Sequence, residues 1–170
     1  SIRFDENIHC LEDLLFMYQY LLHCDYLVLN HMQNYVYVKH SFSLSHRIHS
    51  FESEYCCFVK YQQLLAEMMK VWKIPAGDMV VTVNSMLVPF RRALKSDYQP
   101  DRTIPREMRV KHLKRMISES RDVFLKYYHP VFKTDKLGKV LLGFNCYILY
   151  DFYIRLLFRL NIGPVFYGPK

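Results

Sequence analysis

Residues 106–129 read REMRVKHLKRMISESRDVFLKYYH, with Val110, Leu113, Met116, Ile117, Phe124, Tyr127 and Tyr128 recurring at helical spacing. On a helix those side chains form one apolar stripe, while Lys111, Lys114, Arg115 and Asp122 fall on the other side. Thr103-Ile104-Pro105 is a start signal, because proline fits the first helical turn. Pro130 is a stop, because it lacks an N–H and its ring clashes with the preceding turn. The stretch predicts an amphipathic helix that other helices must cover.

The same periodicity continues on both sides. Phe51, Tyr55, Phe58, Leu65, Met68, Met69 and Trp72 predict the longest helix, from about Ser45 to the stop at Ile74-Pro75-Ala76-Gly77. Leu11, Leu14, Leu15, Tyr18, Leu21 and Leu22 predict a first helix over roughly 6–24, and Tyr26 to Met32 reads as its helical continuation. Asp78 can cap a segment from Met79 to Leu94, although Val80-Val81-Thr82-Val83 is strand-like and Pro89 must bend or end any helix it occupies. Ser96 to Pro105 has the composition of an exposed connection that could carry contacts. Beyond Pro130, one long last helix is expected over 135–161, ended by Gly163-Pro164 and followed by the apolar tail Val165-Phe166-Tyr167. The expected fold is all-α, a single-domain bundle of five or six helices over residues 1–170. Tyr35-Val36-Tyr37-Val38 alternates aromatic and β-branched residues, so a minor β element near 35–44 is the competing expectation and would make the fold α+β.

The chain opens on Ser1 with no leader motif after it, which suggests a domain excised from a longer protein. Its length suffices to bury a core without staples. The five cysteines are odd in number and most sit beside aromatic or aliphatic neighbours, which suits free buried thiols and an intracellular setting, nucleus or cytoplasm. The most apolar run, Val140 to Leu160, is interrupted by Asn145, Asp151, Arg155 and Arg159, so a core helix is expected there rather than a membrane span. Within it Asp151 and Arg155 stand four apart, the spacing of an ion pair along one helix.

Charge is divided unevenly. Residues 1–60 hold four Lys/Arg against seven Asp/Glu, and the remainder nineteen against nine, so the net +7 is concentrated in the second part. The densest stretch, Arg91 to Arg115, has nine cations against three carboxylates. Arg91, Arg92, Lys95, Arg106, Lys111, Lys114 and Arg115 are its candidate contact residues, for an acidic protein surface or for phosphates. Six of the eight histidines lie in the first 60 residues, where clustered surface histidines are the plain reading and a pH sensor the sharper one.

Motifs for chemistry are few. No Gly-x-Ser-x-Gly elbow, phosphate-binding glycine loop or His-Glu-x-x-His is present. Cysteine and histidine show no closed zinc spacing, although His46 and His49 could share a helix face with Glu52 or Cys56. Leu11-Glu12-Asp13-Leu14-Leu15 fits a short docking pattern but lies within an apolar face that predicts core packing. Arg106 and His112 are spaced Arg-x5-His, which resembles the Arg-x(4–6)-His motif of the HEPN family of helical ribonucleases over those seven residues alone. The resemblance implies metal-independent RNA cleavage by that pair at a dimer interface.

The aromatic supply, 27 residues of 170, exceeds what a small bundle needs. Tyr147, Tyr150, Phe152, Tyr153 and Phe158 surround the last helix on nearly every side, so part of that surface is expected to meet a partner. The leading expectation is a non-enzymatic interaction domain, a scaffold or adaptor without cofactor or metal, which holds another protein through Tyr150, Tyr153, Phe166 and Tyr167 and through the basic stretch. A nucleic-acid-binding module using the same cations is the alternative, with a helical ribonuclease behind it.

Overall fold

The computed structural model describes residues 3–4, 6, 8, 11–28, 30–32, 48–78, 84, 87–121, 125–130, 132–160 and 162. Six α-helices follow one another among them: α1 Glu12–Leu21, α2 Phe51–Trp72, α3 Leu87–Lys95, α4 Arg106–Ser120, α5 Lys133–Gly143 and α6 Tyr147–Arg159. Two short 3-10 turns, Ala76–Asp78 and Ser96–Tyr98, lie in the connections. No strand occurs among the described residues, and the stretch that competed for one, 35–44, lies outside them.

Helix α2 is the centre of the bundle. Its apolar repeat places Phe51, Tyr55, Phe58, Tyr61, Leu64, Leu65 and Met68 in the core. Phe90 and Ala93 of α3, Met116 and Ile117 of α4, and Tyr150, Ile154 and Leu157 of α6 complete it. Pro89 lies within α3 and its ring is fully buried. In the first helix Leu15 is buried and Leu11 and Leu14 pack on the core, so the Leu-x-x-Leu-Leu pattern is structural.

Two helical stretches differ from the sequence expectation. Tyr26 to Val28 and Asn30 to Met32 are not helical: the Asn30 side chain accepts the Met32 N–H at 2.9 Å, a local turn that competes with helix, and Tyr26, Leu27, Val28 and Met32 are exposed. Beyond Ser120 the winding of α4 loosens to π-type at Arg121 and Leu125 while Lys126 and Tyr127 are α-helical, so the described residues follow the expected helix as far as Tyr127, and Arg121 donates to the carbonyls of Leu142 and Gly143. The expected last helix is two helices. At the break Asn145 takes φ 59°, Cys146 N donates to Leu141 O at 2.8 Å and Asn145 N to Leu142 O at 3.1 Å, the two hydrogen bonds of a Schellman end.

Two buried ion pairs join the helices. Arg92 of α3 grips Glu54 of α2 through Nε–Oε2 at 2.8 Å and Nη2–Oε1 at 2.7 Å, and the His49 N–H adds a third bond to that carboxylate at 2.7 Å. Arg109 of α4 grips Asp151 of α6 through Nε–Oδ1 at 2.6 Å and Nη2–Oδ2 at 3.0 Å. Tyr98 Oη donates to Asp151 Oδ1 at 3.0 Å and lies beneath the Arg109 guanidinium. The carboxylate holds Arg109 more firmly protonated than usual, while burial first, then Asp151, pushes the Tyr98 hydroxyl strongly upward.

Candidate functional site: the groove between α4 and α6

The basic stretch does not form one surface. Arg92 is 8% exposed and consumed by Glu54, and Arg91 pairs with Asp135 while lying over the Phe132 ring. Arg115 pairs with Glu52 at 3.0 Å and covers the Tyr55 ring, its guanidinium 4.1 Å from the centroid. Lys95 is half-buried, and burial, helped by the charge on Arg91, pushes its ammonium down to about 8 while Asp135 pulls the other way. Arg106, Lys111 and Lys114 are exposed.

The aromatic candidates divide similarly. Tyr150 is buried against Gly138, so it is core and not a contact residue: its position on α6 faces inward with Ile154 and Leu157. Tyr153 is half-buried and donates its hydroxyl to Thr134 O at 3.0 Å, which joins α6 to α5. Phe166 and Tyr167 lie outside the described residues. Outward on α6 stand instead Ile148, Leu149, Phe152 and Leu156, with Phe152 64% and Ile148 60% exposed. Arg155 is exposed too, because Asp151, its expected partner, faces inward to Arg109.

All of these outward residues but Leu156 line a groove of about 650 Å3, with Arg106, Val110 and Lys114 on the α4 wall and Ile148, Phe152 and Arg155 on the α6 wall. Each set repeats at three or four residues, so each wall is one helix face. The walls run antiparallel. Arg106 and Arg155 also share the adjoining polar hollow at one end, and Arg121, just beyond α4, reaches Asn145 before α6 at the other. Along the groove, therefore, come the Arg106 and Arg155 cations, then Val110 and Phe152, then Lys114 and Ile148. Among the described residues none of the three cations has an acidic partner. The lining carboxylate, Asp151, is 2% exposed and already neutralised.

Other sequence candidates are not assembled into sites. Six residues of helix turn Arg106 and His112 to different faces, and the His112 ring stacks on Phe51 at 3.8 Å with Nδ1 2.7 Å from Asp97 Oδ2. Among the described residues no three His, Cys, Asp or Glu side chains gather where a metal could be held, and His46 lies outside them. Cys24, Cys56, Cys57 and Cys146 are free thiols; Cys57 is buried, Cys24 and Cys56 are half-buried and Cys146 is exposed, so fewer of them are buried than their apolar neighbours led one to expect. No helix among the described residues is long and apolar enough to cross a membrane.

Ile148, Phe152 and Arg155 were legible on a helical wheel. They lie opposite Tyr150, Ile154 and Leu157, and Arg155 and Arg159 mark which side faces water. Comparison with family models, with curated proteins and with solved structures finds no match.

Proposed function

We propose that the domain is an interaction module, an adaptor or scaffold unit that holds a partner protein with an acidic surface in the α4–α6 groove. The observation that carries this reading is the coincidence of exposed apolar side chains, Ile148 and Phe152, with three cations that no described carboxylate neutralises. An apolar strip gains on leaving water, about 1.5–3 kcal/mol for each large side chain fully buried, and cations around it select the charge of what covers it. The buried pair Arg109–Asp151 supports the reading from behind, since it ties the two walls together without using the groove's own cations.

The test is a photoreactive benzoyl-phenylalanine placed at Phe152, with Lys136 on α5 as the control position, followed by irradiation in cells and nuclease digestion. A nuclease-resistant protein adduct at position 152 and not at 136 is the expected result. Adducts that nuclease destroys, or equal yields at both positions, would overturn the reading.

A further inference from the structure

Resting on that docking reading, we infer that the groove's occupant is an amphipathic α-helix of the partner that carries carboxylates on both sides of a short apolar centre. The order of side chains along the groove gives the pattern. Arg106 and Arg155 stand at one end, Val110 and Phe152 in the middle, Lys114 and Ile148 at the other end. Arg106 and Lys114 are eight residues apart on α4, about 12 Å of rise, or a little over two turns. A docked helix of matching pitch meets those groups with a carboxylate at i, apolar side chains at i+3 and i+4, and a carboxylate at i+7.

Backbone chemistry favours a helix as the occupant. A strand or irregular segment laid on Val110, Ile148 and Phe152 would bring unpaired N–H and C=O groups against apolar walls, and no strand edge among the described residues is there to receive them. A helix satisfies its own backbone and offers side chains alone. Charge decides its sign. A second copy docked through α6 would set Arg155 and Arg159 against the same cations, a like-charge contact in a partly desolvated groove. A nucleic-acid strand could use the cations, but base stacking needs aromatic platforms and the groove's middle offers a single exposed ring, Phe152.

The test uses fluorescence anisotropy with synthetic peptides of about four turns, roughly 14 residues, built around Glu-x-x-Leu-Phe-x-x-Glu. The comparison peptides carry Gln for both glutamates, or Ser for the Leu-Phe centre. The expected result is that the Glu peptide binds about tenfold or more tightly than either comparison peptide, and that its advantage over the Gln peptide shrinks from about 0.05 to about 0.5 M salt as screening shortens. Arg106→Gln combined with Arg155→Gln should remove most of that advantage, leaving the part that Lys114 supplies, while the Gln peptide binds as before, and Phe152→Ser should weaken both. These side chains are exposed, so circular dichroism should be unchanged in the variants. Equal binding of Glu and Gln peptides, or tighter binding of a single-stranded oligonucleotide that the Glu peptide fails to displace, would overturn the acidic helix. The cross-link at position 152 separates the two readings: a nuclease-resistant protein adduct with no peptide binding rejects the helix and keeps the docking groove, whereas loss of both rejects the groove.

Discussion

Arg109 and Asp151, 42 residues apart in the chain, meet as a two-pronged buried ion pair that fixes the distance between α4 and α6 and so the width of the groove. Removing one member strands the other charge away from water. Asp151→Ala is expected to cost about 3–5 kcal/mol, and Asp151→Asn less, because an amide still accepts from one guanidinium N–H. Replacing both residues, Arg109→Met with Asp151→Leu, should recover much of the loss, since an apolar pair removes the desolvation penalty. Urea unfolding followed by circular dichroism measures all three. Equal stability of the single and double variants would mean that the pair contributes little.

Arg92 and Arg106 are both arginines of the basic stretch and should behave oppositely. Arg92→Glu places a second carboxylate beside Glu54 in a buried site, and about 3–5 kcal/mol or more should be lost from a stability that for domains of this size is about 5–15 kcal/mol. Arg106→Glu touches no described partner and should leave the melting temperature within about 2 °C, while altering binding at the groove. Parallel thermal melts decide it, and a loss in Arg92→Glu as small as that expected for Arg106→Glu would return Arg92 to the surface.

What the sequence revealed and what it hid follow from the range of each signal. The stripe Leu113, Met116 and Ile117 and the α2 repeat from Phe51 to Met68 report burial directly, because a helix face has one period and the core lies on one side. The basic stretch carries no such information. Whether Arg92 faces Glu54, 38 residues away, or water depends on how α3 packs on α2, and charge counting along the chain is blind to that. Tyr150 and Phe152 differ in fate by two residues on one helix. Composition read them alike, and only the phase of the helix, with Arg155 and Arg159 marking the wet side, separates them.

Lys95 predicts a pH dependence. Its ammonium is pushed from the ordinary 10.5 down to about 8 in the folded protein, chiefly by burial. The unfolded chain therefore holds the proton more tightly, and stability is lowered below about pH 8, recovering as pH rises to about 10.5. Lys95→Met should be more stable than the unaltered chain at pH 7 by on the order of 1 to 3 kcal/mol, allowing for partial solvent screening. That gap should close between pH 8 and 10.5. Tyr55 and Tyr128, both pushed up to about 12, chiefly by burial, lower stability above pH 10 in both proteins alike and cancel in the difference. Urea midpoints at intervals from pH 7 to about 10.5 supply the curve, and a gap that stayed constant would disprove the assignment.

Asn145 sets where α5 ends and α6 begins, and with it the open end of the groove. Its φ of 59° is left-handed, a conformation that asparagine tolerates and β-branched residues resist. Its side-chain oxygen also accepts from Arg121 and, at 2.6 Å, from the Tyr147 hydroxyl. Glycine at this position relieves the backbone but forfeits both contacts, so Asn145→Gly should change stability by less than about 1 kcal/mol. Asn145→Val loses the contacts and adds left-handed strain, for a cost of about 2–3 kcal/mol. Because the turn aims α6 along α4, Asn145→Val should also weaken the Glu peptide severalfold under conditions where the protein remains folded, whereas Asn145→Gly should not. Anisotropy titrations beside the unfolding curves test both halves, and equal peptide affinity in the two variants would uncouple the turn from the groove.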